Sequence, residues 1–204
     1  MDEQYFTDSS PATADEVRTI EVSARGFDLS MGVSSRVFSG SKLDLGTRQL
    51  LEIAPDLPEG GTFLDLGCGW GPIATIMSLE SPNAAVWAVD VNSRAVDLTQ
   101  RNAQSNGASG VRALKAEEAL AASRESDTRF DVIWSNPPVR IGKDAMHEML
   151  LAWLGRIAPT GVAYLVVQRN LGADSLITWL NGQGLQASKY ASKKGFRIIE
   201  VRPA

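Results

Sequence analysis

The sequence is poor in the residues that build disulfides, metal sites and membrane spans. Its 204 residues include one cysteine and one histidine. This excludes a disulfide framework and a cysteine-based zinc site, and no metal site is predicted. No apolar run approaches the roughly 20 residues that cross a bilayer, and residues 1–16 lack the apolar stretch of a signal peptide. We therefore expect a cytoplasmic protein with no membrane contact.

A surplus of basic residues is also missing. Lys and Arg number 20 against 24 Asp and Glu, a formal net charge of −4. No overall positive field therefore attracts nucleic acids indiscriminately. The C-terminal stretch 189–202 has the opposite balance, with the single acid Glu200 and five bases: Lys189, Lys193, Lys194, Arg197 and Arg202. A local phosphate-binding patch is thus compatible with the composition.

The chain is long enough for one α/β domain with a full core, and too short for two comfortable ones. We expect residues 1–16 to form a flexible N-terminus and 17–204 a single domain. Within it, 17–55 reads as an extension. The alternating segments 18–24 and 27–31, joined at Arg25-Gly26, predict a hairpin, and a short helix is predicted to follow over 45–53.

From residue 62 onward, short apolar segments alternate with helical ones, which is typical of right-handed βαβ units and a parallel sheet. The last two strands are separated by five residues, which predicts an antiparallel pair at one edge. The predicted strands are 62–66, 85–89, 111–114, 130–135, 161–167, 185–190 and 196–201. The predicted helices are 72–79, 93–106, 117–123, 143–157 and 173–181.

A glycine-rich loop, FLDLGCGWGP, joins the first of these strands to the first helix. Gly67, Gly69 and Gly71 let the backbone turn tightly and approach a ligand. Asp65 ends the strand, where its carboxylate can accept from a ligand ammonium. Asp90 ends the next strand, roughly 20 residues on, a spacing suited to hydrogen bonds with ribose hydroxyls. This pattern predicts a nucleotide-like ligand over the carboxyl ends of the strands.

Two features argue against a dinucleotide in this loop. The spacing is G-x-G-x-G rather than G-x-G-x-x-G, and Asp65 would repel a pyrophosphate. A glycine-rich turn without any ligand is the plain structural alternative. Cys68, inside the loop, is interpreted as a small filler rather than a nucleophile, because no histidine neighbour is evident.

A second motif, SNPPVR, directly follows the apolar strand 130–135. Two prolines after Asn136 cannot continue a helix or donate to a sheet ladder, so the chain leaves the sheet with little freedom. Rigid turns at strand ends often carry the chemistry of α/β proteins. The structural alternative is a simple strand-ending turn.

The motifs DLGCGWG, VDVN and NPP, in this order and at these distances, resemble the class I S-adenosylmethionine-dependent methyltransferases. The resemblance implies their Rossmann-like fold: a mostly parallel seven-stranded sheet with an antiparallel C-terminal edge strand, helices on both faces, and here a small N-terminal hairpin. It implies S-adenosylmethionine as the cofactor. Its methionine part would contact Asp65 and the loop of Gly67, Cys68, Gly69 and Gly71, its ribose Asp90 with Val91 beside it, and its adenine amine Glu117.

The NPP motif resembles that of methyltransferases acting on exocyclic base amines or amide nitrogens. Asn136 can accept one N–H through its side-chain oxygen, and the Pro137 carbonyl can accept the other. With Pro138 stiffening the turn, both acceptors favour a pyramidal nitrogen whose lone pair points at the methyl group. No strong base is needed first, since the nitrogen becomes acidic only after methylation. The motif's next position is usually aromatic but is Val139 here, so Phe38 is our candidate for stacking on a base.

The segment VFSGSKLDLGTRQLL resembles the one preceding the cofactor site in small-domain methyltransferases of the ribosomal RNA guanine-N2 type. This implies methyl transfer to guanine N2 in small-subunit (16S) ribosomal RNA, with ribosomal RNA or the ribosomal subunit as partner. Arg140 is the predicted substrate-binding cation. Lys143, Arg169 and the Lys193-Lys194 pair extend the expected phosphate patch.

Other functions remain open from the sequence. The acceptor could be a protein amide or a small-molecule amine, or the chain could be a noncatalytic module that binds S-adenosylmethionine. An oxidoreductase that uses NAD fits the loop spacing less well. We expect a monomer.

Overall fold

The computed structural model describes residues 8–204. Within them, strands and helices alternate as the patterns predict, and no helix there is long and apolar enough to cross a membrane. The strands are β1 Val17–Ala24, β2 Phe27–Ser34, β3 Gly60–Leu66, β4 Asn83–Asp90, β5 Val111–Lys115, β6 Phe130–Ser135, β7 Ile157–Gln168, β8 Gln186–Lys193 and β9 Phe196–Arg202. The helices are α1 Leu45–Ile53, α2 Pro72–Glu80, α3 Ser93–Ser105, α4 Ala116–Glu125, α5 Lys143–Leu154 and α6 Ala173–Gly182.

Seven strands form one sheet in the order β5-β4-β3-β6-β7-β9-β8. The first five of these are parallel, and β9 runs antiparallel between β7 and β8. From β3 the chain adds β4 and then β5 on one side. It then crosses back and places β6 on the other side of β3. This reversal opens a crevice at the carboxyl ends of β3 and β6, where ligands of open α/β sheets bind. The predicted fold class is confirmed.

Two cores cover the faces of this sheet because successive strand residues point to opposite sides. On β6, Val132 and Trp134 pack with the hairpin and α1 to α3, whereas Ile133 packs with α5 and α6. Trp134 is fully buried. The strands alternate between two apolar faces, so burying both requires the helices on either side.

The N-terminal extension packs on the first of these faces. β1 and β2 form an antiparallel hairpin, and its turn at Arg25 and Gly26 has positive φ at both residues, 50° and 82°. Arg25 then donates to the Ala54 carbonyl at 2.9 Å and forms an ion pair with Glu80. These contacts join the hairpin to the ends of α1 and α2. The hairpin and helix predicted over 17–55 are both present.

The predicted boundary between α5 and β7 is wrong. The sequence predicted a helix over 143–157 stopped by Pro159, but the helix ends at Leu154 and the strand begins at Ile157. Pro159 lies inside β7, where the pairing with β6 is irregular between Phe130 and Val132. Proline lacks the N–H that a regular ladder of hydrogen bonds between strands needs. Where the pairing is irregular that hydrogen bond is not required, so the strand can contain Pro159.

The flexible N-terminus predicted over 1–16 lies partly outside the described residues, which begin at residue 8. Glu16 pairs with the buried Arg94 of α3 at 3.2 Å, and Asp8 pairs with Lys115 at 2.9 Å. The described part of this segment therefore contacts the carboxyl-end side of β5 and the start of α3. Its flexibility stays a prediction.

Candidate active site

The glycine loop lies at the carboxyl end of β3 in the backbone conformation that its glycines allow. Gly67, Gly69 and Gly71 have φ of 78°, 58° and 88°. A Cβ at Gly71 would lie 2.8 Å from Thr99, so this glycine also permits close packing of α3. A Cβ at Gly67 would meet nothing within 4 Å. Gly67 therefore faces open space, which leaves room for a ligand over the loop.

Asp65 is completely buried behind this loop. Its Oδ2 accepts from the backbone N–H of Ala74 at 2.9 Å, which caps the start of α2, and its Oδ1 has no partner among the described residues. Burial and, to a smaller extent, the nearby charge of Asp90 raise the pKa of Asp65 to about 8, against the opposing effect of the Ala74 hydrogen bond. A buried carboxylate without a cation is a candidate partner for a positively charged ligand.

Asp90 joins the glycine loop to the turn that follows β4. Its Oδ2 accepts from the Gly69 N–H at 3.0 Å, and its Oδ1 accepts from the Asn92 N–H at 2.9 Å. Burial raises the pKa of this carboxyl. An ionised carboxylate offers about four acceptor positions, so these two bonds leave capacity for ribose hydroxyls. Val91, next to it, exposes half of its surface.

The Cys68 thiol is not placed to react with a ligand. It is buried and accepts from the Thr99 hydroxyl at 3.3 Å, and burial raises its pKa well above the ordinary value. A neutral, enclosed thiol is a poor nucleophile. The geometry agrees with the interpretation of Cys68 as a filler, and any cofactor contact at this position would be made by its backbone.

Glu117 occupies the first turn of α4 and is exposed. Lys115, at the end of β5, places its Nζ 2.5 Å from the Val91 carbonyl oxygen. The ends of β4 and β5 are thereby connected near the place that the resemblance implies for adenine. The adenine role of Glu117 stays a prediction.

Asn136 follows β6 and lies across the crevice from the glycine loop. Its side-chain nitrogen donates to Asp44 Oδ2 at 2.8 Å and to Thr47 Oγ1 at 3.1 Å. Asp44 is the N-cap of α1 and also accepts from the Thr47 N–H at 3.0 Å. The segment that resembles ribosomal RNA methyltransferases thus contributes the two side chains that hold Asn136.

This arrangement fixes the orientation of the Asn136 amide. A carboxylate only accepts hydrogen bonds, so the atom beside Asp44 must be the amide nitrogen rather than the oxygen. The amide oxygen is the end that remains to accept a hydrogen bond. The sequence identified Asn136 but not these partners. The D-x-G-T pattern, which is also the pattern of a helix N-cap, was the feature of the sequence that could have pointed to Asp44 and Thr47.

The two prolines form a tight turn after Asn136. The Val139 N–H donates to the Pro137 carbonyl at 2.8 Å, and Pro138 has φ −76° and ψ 77°. These are the features of an inverse γ-turn. The Pro137 carbonyl expected to accept a substrate N–H therefore already accepts one bond, and its second lone pair remains for a substrate.

The predicted substrate-binding residues separate in the structure. Phe38 is exposed beside the glycine loop and lines the same narrow cleft as Asn136. Val139 instead packs against the core on the α5 face of the sheet, and Arg140 is exposed in the following 3₁₀ turn. Val139 is thus placed for packing, and the substrate roles of Phe38 and Arg140 stay predictions.

Residues 36–39, before α1, contact the far end of the glycine loop and the start of α3, and they narrow the cleft beside Gly67. Trp70 donates its Nε1–H to the Ser39 carbonyl at 3.2 Å, and Asn92 donates to the Arg36 carbonyl at 2.8 Å. A roomier cavity of about 380 Å³ lies at the amino ends of β3, β6 and β7. None of the predicted site residues lines it, and parallel sheets bind ligands at the other end.

Comparison with known families decides the class of this chain. The model of the methyltransferase small domain family matches residues 28–200. The chain belongs to this family. Membership confirms the predicted class, an S-adenosylmethionine-dependent methyltransferase, and the two carboxylates and open glycine loop fit that cofactor.

Relatives in this family differ in length. The uncharacterised protein YbxB of Bacillus subtilis is 30% identical over 202 residues and matches along 99% of both chains. Ribosomal RNA small subunit methyltransferase C of Chromohalobacter salexigens is 40% identical over 174 residues, which covers 81% of this chain and 49% of the relative. This chain therefore spans about half of that methyltransferase.

Among solved structures, a T. thermophilus 16S rRNA N2 methyltransferase (RsmC), in complex with AdoMet and guanosine, superposes with a TM-score of 0.77. The superposition covers 95% of this chain and 52% of the T. thermophilus chain, at 24% identity. At this identity the likeness establishes the shared fold.

Proposed function

We propose that this chain transfers the methyl group of S-adenosylmethionine to the exocyclic N2 amine of a guanine in small-subunit ribosomal RNA. The observation that carries the proposal is the fixed amide of Asn136. Because Asp44 and Thr47 occupy its nitrogen, its oxygen is the group offered to the substrate. A group that only accepts selects a substrate atom that carries hydrogen, as an amine does and a carbonyl oxygen does not.

Residues on the opposite side of the crevice would hold the cofactor. Asp90 would accept from the ribose hydroxyls, and Asp65, which precedes the glycine loop at the end of β3, would face the methionine part. Bound S-adenosylmethionine supplies an electrophilic methyl carbon on a positively charged sulfur. Both buried carboxylates favour that charge, since opposite charges stabilise one another strongly where water is excluded.

Asn136 and Pro137 act on the amine by position rather than as bases. Each accepts one N–H, which directs the nitrogen lone pair along the crevice toward the cofactor side. As the nitrogen–carbon bond would form, the carbon–sulfur bond would break and the cofactor would leave as a neutral thioether. The two acceptor oxygens would stabilise the positive charge that passes to nitrogen, which would then release one proton to water. His147 has no part in this step, since it stacks on Trp179 at 3.5 Å between ring centroids.

Relatives support the choice of guanine in ribosomal RNA. Matching proteins carry the name ribosomal RNA small subunit methyltransferase C, and the superposed structure holds guanosine. Exocyclic amines of bases also have delocalised lone pairs, and two positioned acceptors are the means to make such a nitrogen reactive. A base within folded RNA must be unstacked to reach the crevice.

The test is nucleoside mass spectrometry of ribosomal RNA. The purified chain and its Asn136→Ala variant are incubated with S-adenosylmethionine and either naked 16S RNA or small subunits that lack the modification. We expect N2-methylguanosine with the wild type alone. Methyl transfer to protein, or to another atom of the RNA, would contradict the proposed substrate. Binding of S-adenosylmethionine without transfer to any fraction would contradict the catalytic role.

A further inference from the structure

A cluster of cations surrounds the tip of the β8–β9 hairpin. The hairpin turns at Lys194 and Gly195, whose φ values are 48° and 82°. The N–H of Arg169, in the 3₁₀ turn after β7, donates to the Gly195 carbonyl at 2.8 Å. This bond places the end of β7 against the hairpin tip.

Six basic residues collect here around two carboxylates. Lys193 lies 2.9 Å from Glu52, and Arg197 lies 3.1 Å from Asp174. The charges of Lys194 and Arg48 also lower the pKa of Glu52. Those of Lys189 and Arg169 lower the pKa of Asp174. We call this set the basic edge: Arg48, Arg169, Lys189, Lys193, Lys194 and Arg197. It concentrates positive charge on one side of a chain whose net charge is −4.

The basic edge is adjacent to the proposed acceptor. A Cβ at Gly46 would lie 3.0 Å from Phe196 Cε1 and 3.4 Å from Asn136 Nδ2. One glycine therefore separates the first residue of β9 from the amide that faces the substrate. Exposed leucines accompany the cations, Leu45 on α1 one turn before Arg48 and Leu171 two residues after Arg169.

We propose that the basic edge binds the phosphates of the RNA strand whose target base enters the crevice at Asn136. This inference rests on the proposed function and names the surface that its substrate contacts. Phosphate contacts fix the position of a strand, and base contacts select the target. Here the cations outside the crevice would hold the strand, and the Asn136 acceptor inside it would select the base. The exposed leucines offer apolar surface to neighbouring bases.

An acidic protein segment is the competing partner for such a surface. The structure favours RNA because Phe196, at the start of β9, lies beside Gly46 and Asn136, and because the exposed Leu45 and Leu171 accompany the cations. A strand of RNA carries a regular row of charges with flat bases beside it, which matches both features. An acidic peptide matches the charge alone.

The experiment compares two variants that remove the same charge at different places. In the first, Lys193, Lys194 and Arg169 are changed to Gln. In the second, the exposed Arg101, Arg112 and Arg124 of the α3, β5 and α4 region are changed to Gln. Affinity for a fluorescent fragment of small-subunit ribosomal RNA is measured by anisotropy across a range of salt concentrations. Thermal unfolding and S-adenosylmethionine affinity are measured for both.

We expect the first variant to bind RNA at least tenfold more weakly, with a salt dependence whose slope falls by about two, because each lost single-strand phosphate contact removes roughly 0.7. The second variant should keep the wild-type slope. Equal losses in both variants, or wild-type binding by the first, would overturn the proposal. Displacement of the RNA by polyglutamate at matching charge concentration would instead assign the edge to acidic protein. RNA affinity and its salt dependence are measured without methyl transfer. A failure of this proposal is therefore distinguishable from a failure of the proposed function.

Discussion

The two sides of the crevice hold their functional side chains in different ways. At the end of β4, Asp90 accepts from the backbone N–H groups of Gly69 and Asn92, so loop backbone alone orients it. At the end of β6, Asn136 is oriented by side chains of Asp44 and Thr47, which precede it by 92 and 89 residues. On the side proposed for the cofactor, Asp90 is thus oriented by backbone close to it in the chain, whereas on the side proposed for the substrate Asn136 depends on α1 docking against the sheet.

This difference predicts that the substrate side can be disabled without loss of the cofactor. Asn136→Ala removes the acceptor, and we expect the methyl-transfer rate to fall on the order of 10²–10³-fold, as for removal of a positioned hydrogen-bonding group. S-adenosylmethionine affinity, measured by isothermal titration, should stay within about twofold of wild type. A matching loss of cofactor affinity would mean that the two sides are not separable.

The converse change acts on the cofactor side. Asp90→Ala removes the carboxylate proposed to accept from the ribose and leaves the Gly69 and Asn92 N–H groups without their partner. We expect the dissociation constant for S-adenosylmethionine to rise about 10- to 100-fold, from the roughly 1.5–3 kcal/mol of hydrogen bonds to a charged group. Turnover at saturating cofactor should be affected less than by Asn136→Ala. Unchanged affinity would contradict the ribose role.

Changes at Asp44 separate its structural role from its effect on Asn136. Asp44→Ser keeps a cap for the Thr47 N–H, since serine is a good N-cap, but its shorter side chain lacks the reach to Asn136. We expect about a tenfold lower rate with little change in melting temperature, because one of two hydrogen bonds that orient the amide is lost. Asp44→Asn keeps an acceptor oxygen and should recover most of the rate. Equal rates for the two variants would show that orientation of the amide is set elsewhere.

The smallest expected effect is a pH dependence on the cofactor side. The pKa of Asp65 is raised to about 8, so near neutral pH this carboxyl is mostly protonated in the free chain. A bound cation favours the ionised form, so cofactor binding should release a proton and strengthen as pH rises from 7 to above 8, by at most about tenfold in total, and then level off. Titration calorimetry across this range measures it. Asp65→Asn keeps an acceptor for Ala74 and should flatten the profile.

Much of the cofactor side was predictable because its determinants are local. The glycines at 67, 69 and 71, the strand before them and the acid at the end of the next strand all lie within residues 60–90. Local periodicity likewise predicted most helices and strands. The α5–β7 boundary was wrong because Pro159 was interpreted as a helix stop, whereas an irregularity in the β6–β7 pairing accommodates it inside a strand.

The substrate side was predictable only in part. The prolines indicated a rigid turn and the Asn136 side chain a candidate acceptor, but an asparagine amide can present either end to a substrate. The inverse γ-turn, which occupies one lone pair of the Pro137 carbonyl, also required the coordinates. Val139 illustrates the same limit, because its packing on the α5 face depends on how the turn leaves the sheet.

The sequence by itself determined the fold class, the cofactor loop and the identity of the residues at the ends of β3, β4 and β6, since these follow from periodicity, backbone freedom at glycine and the direction of parallel strands. Only the tertiary structure decided which atom of the Asn136 amide Asp44 and Thr47 bind, and that Phe196, at the start of β9, lies close to that amide. Both depend on contacts between segments far apart in the chain. Such contacts are fixed by packing on a shared sheet, which no local pattern specifies.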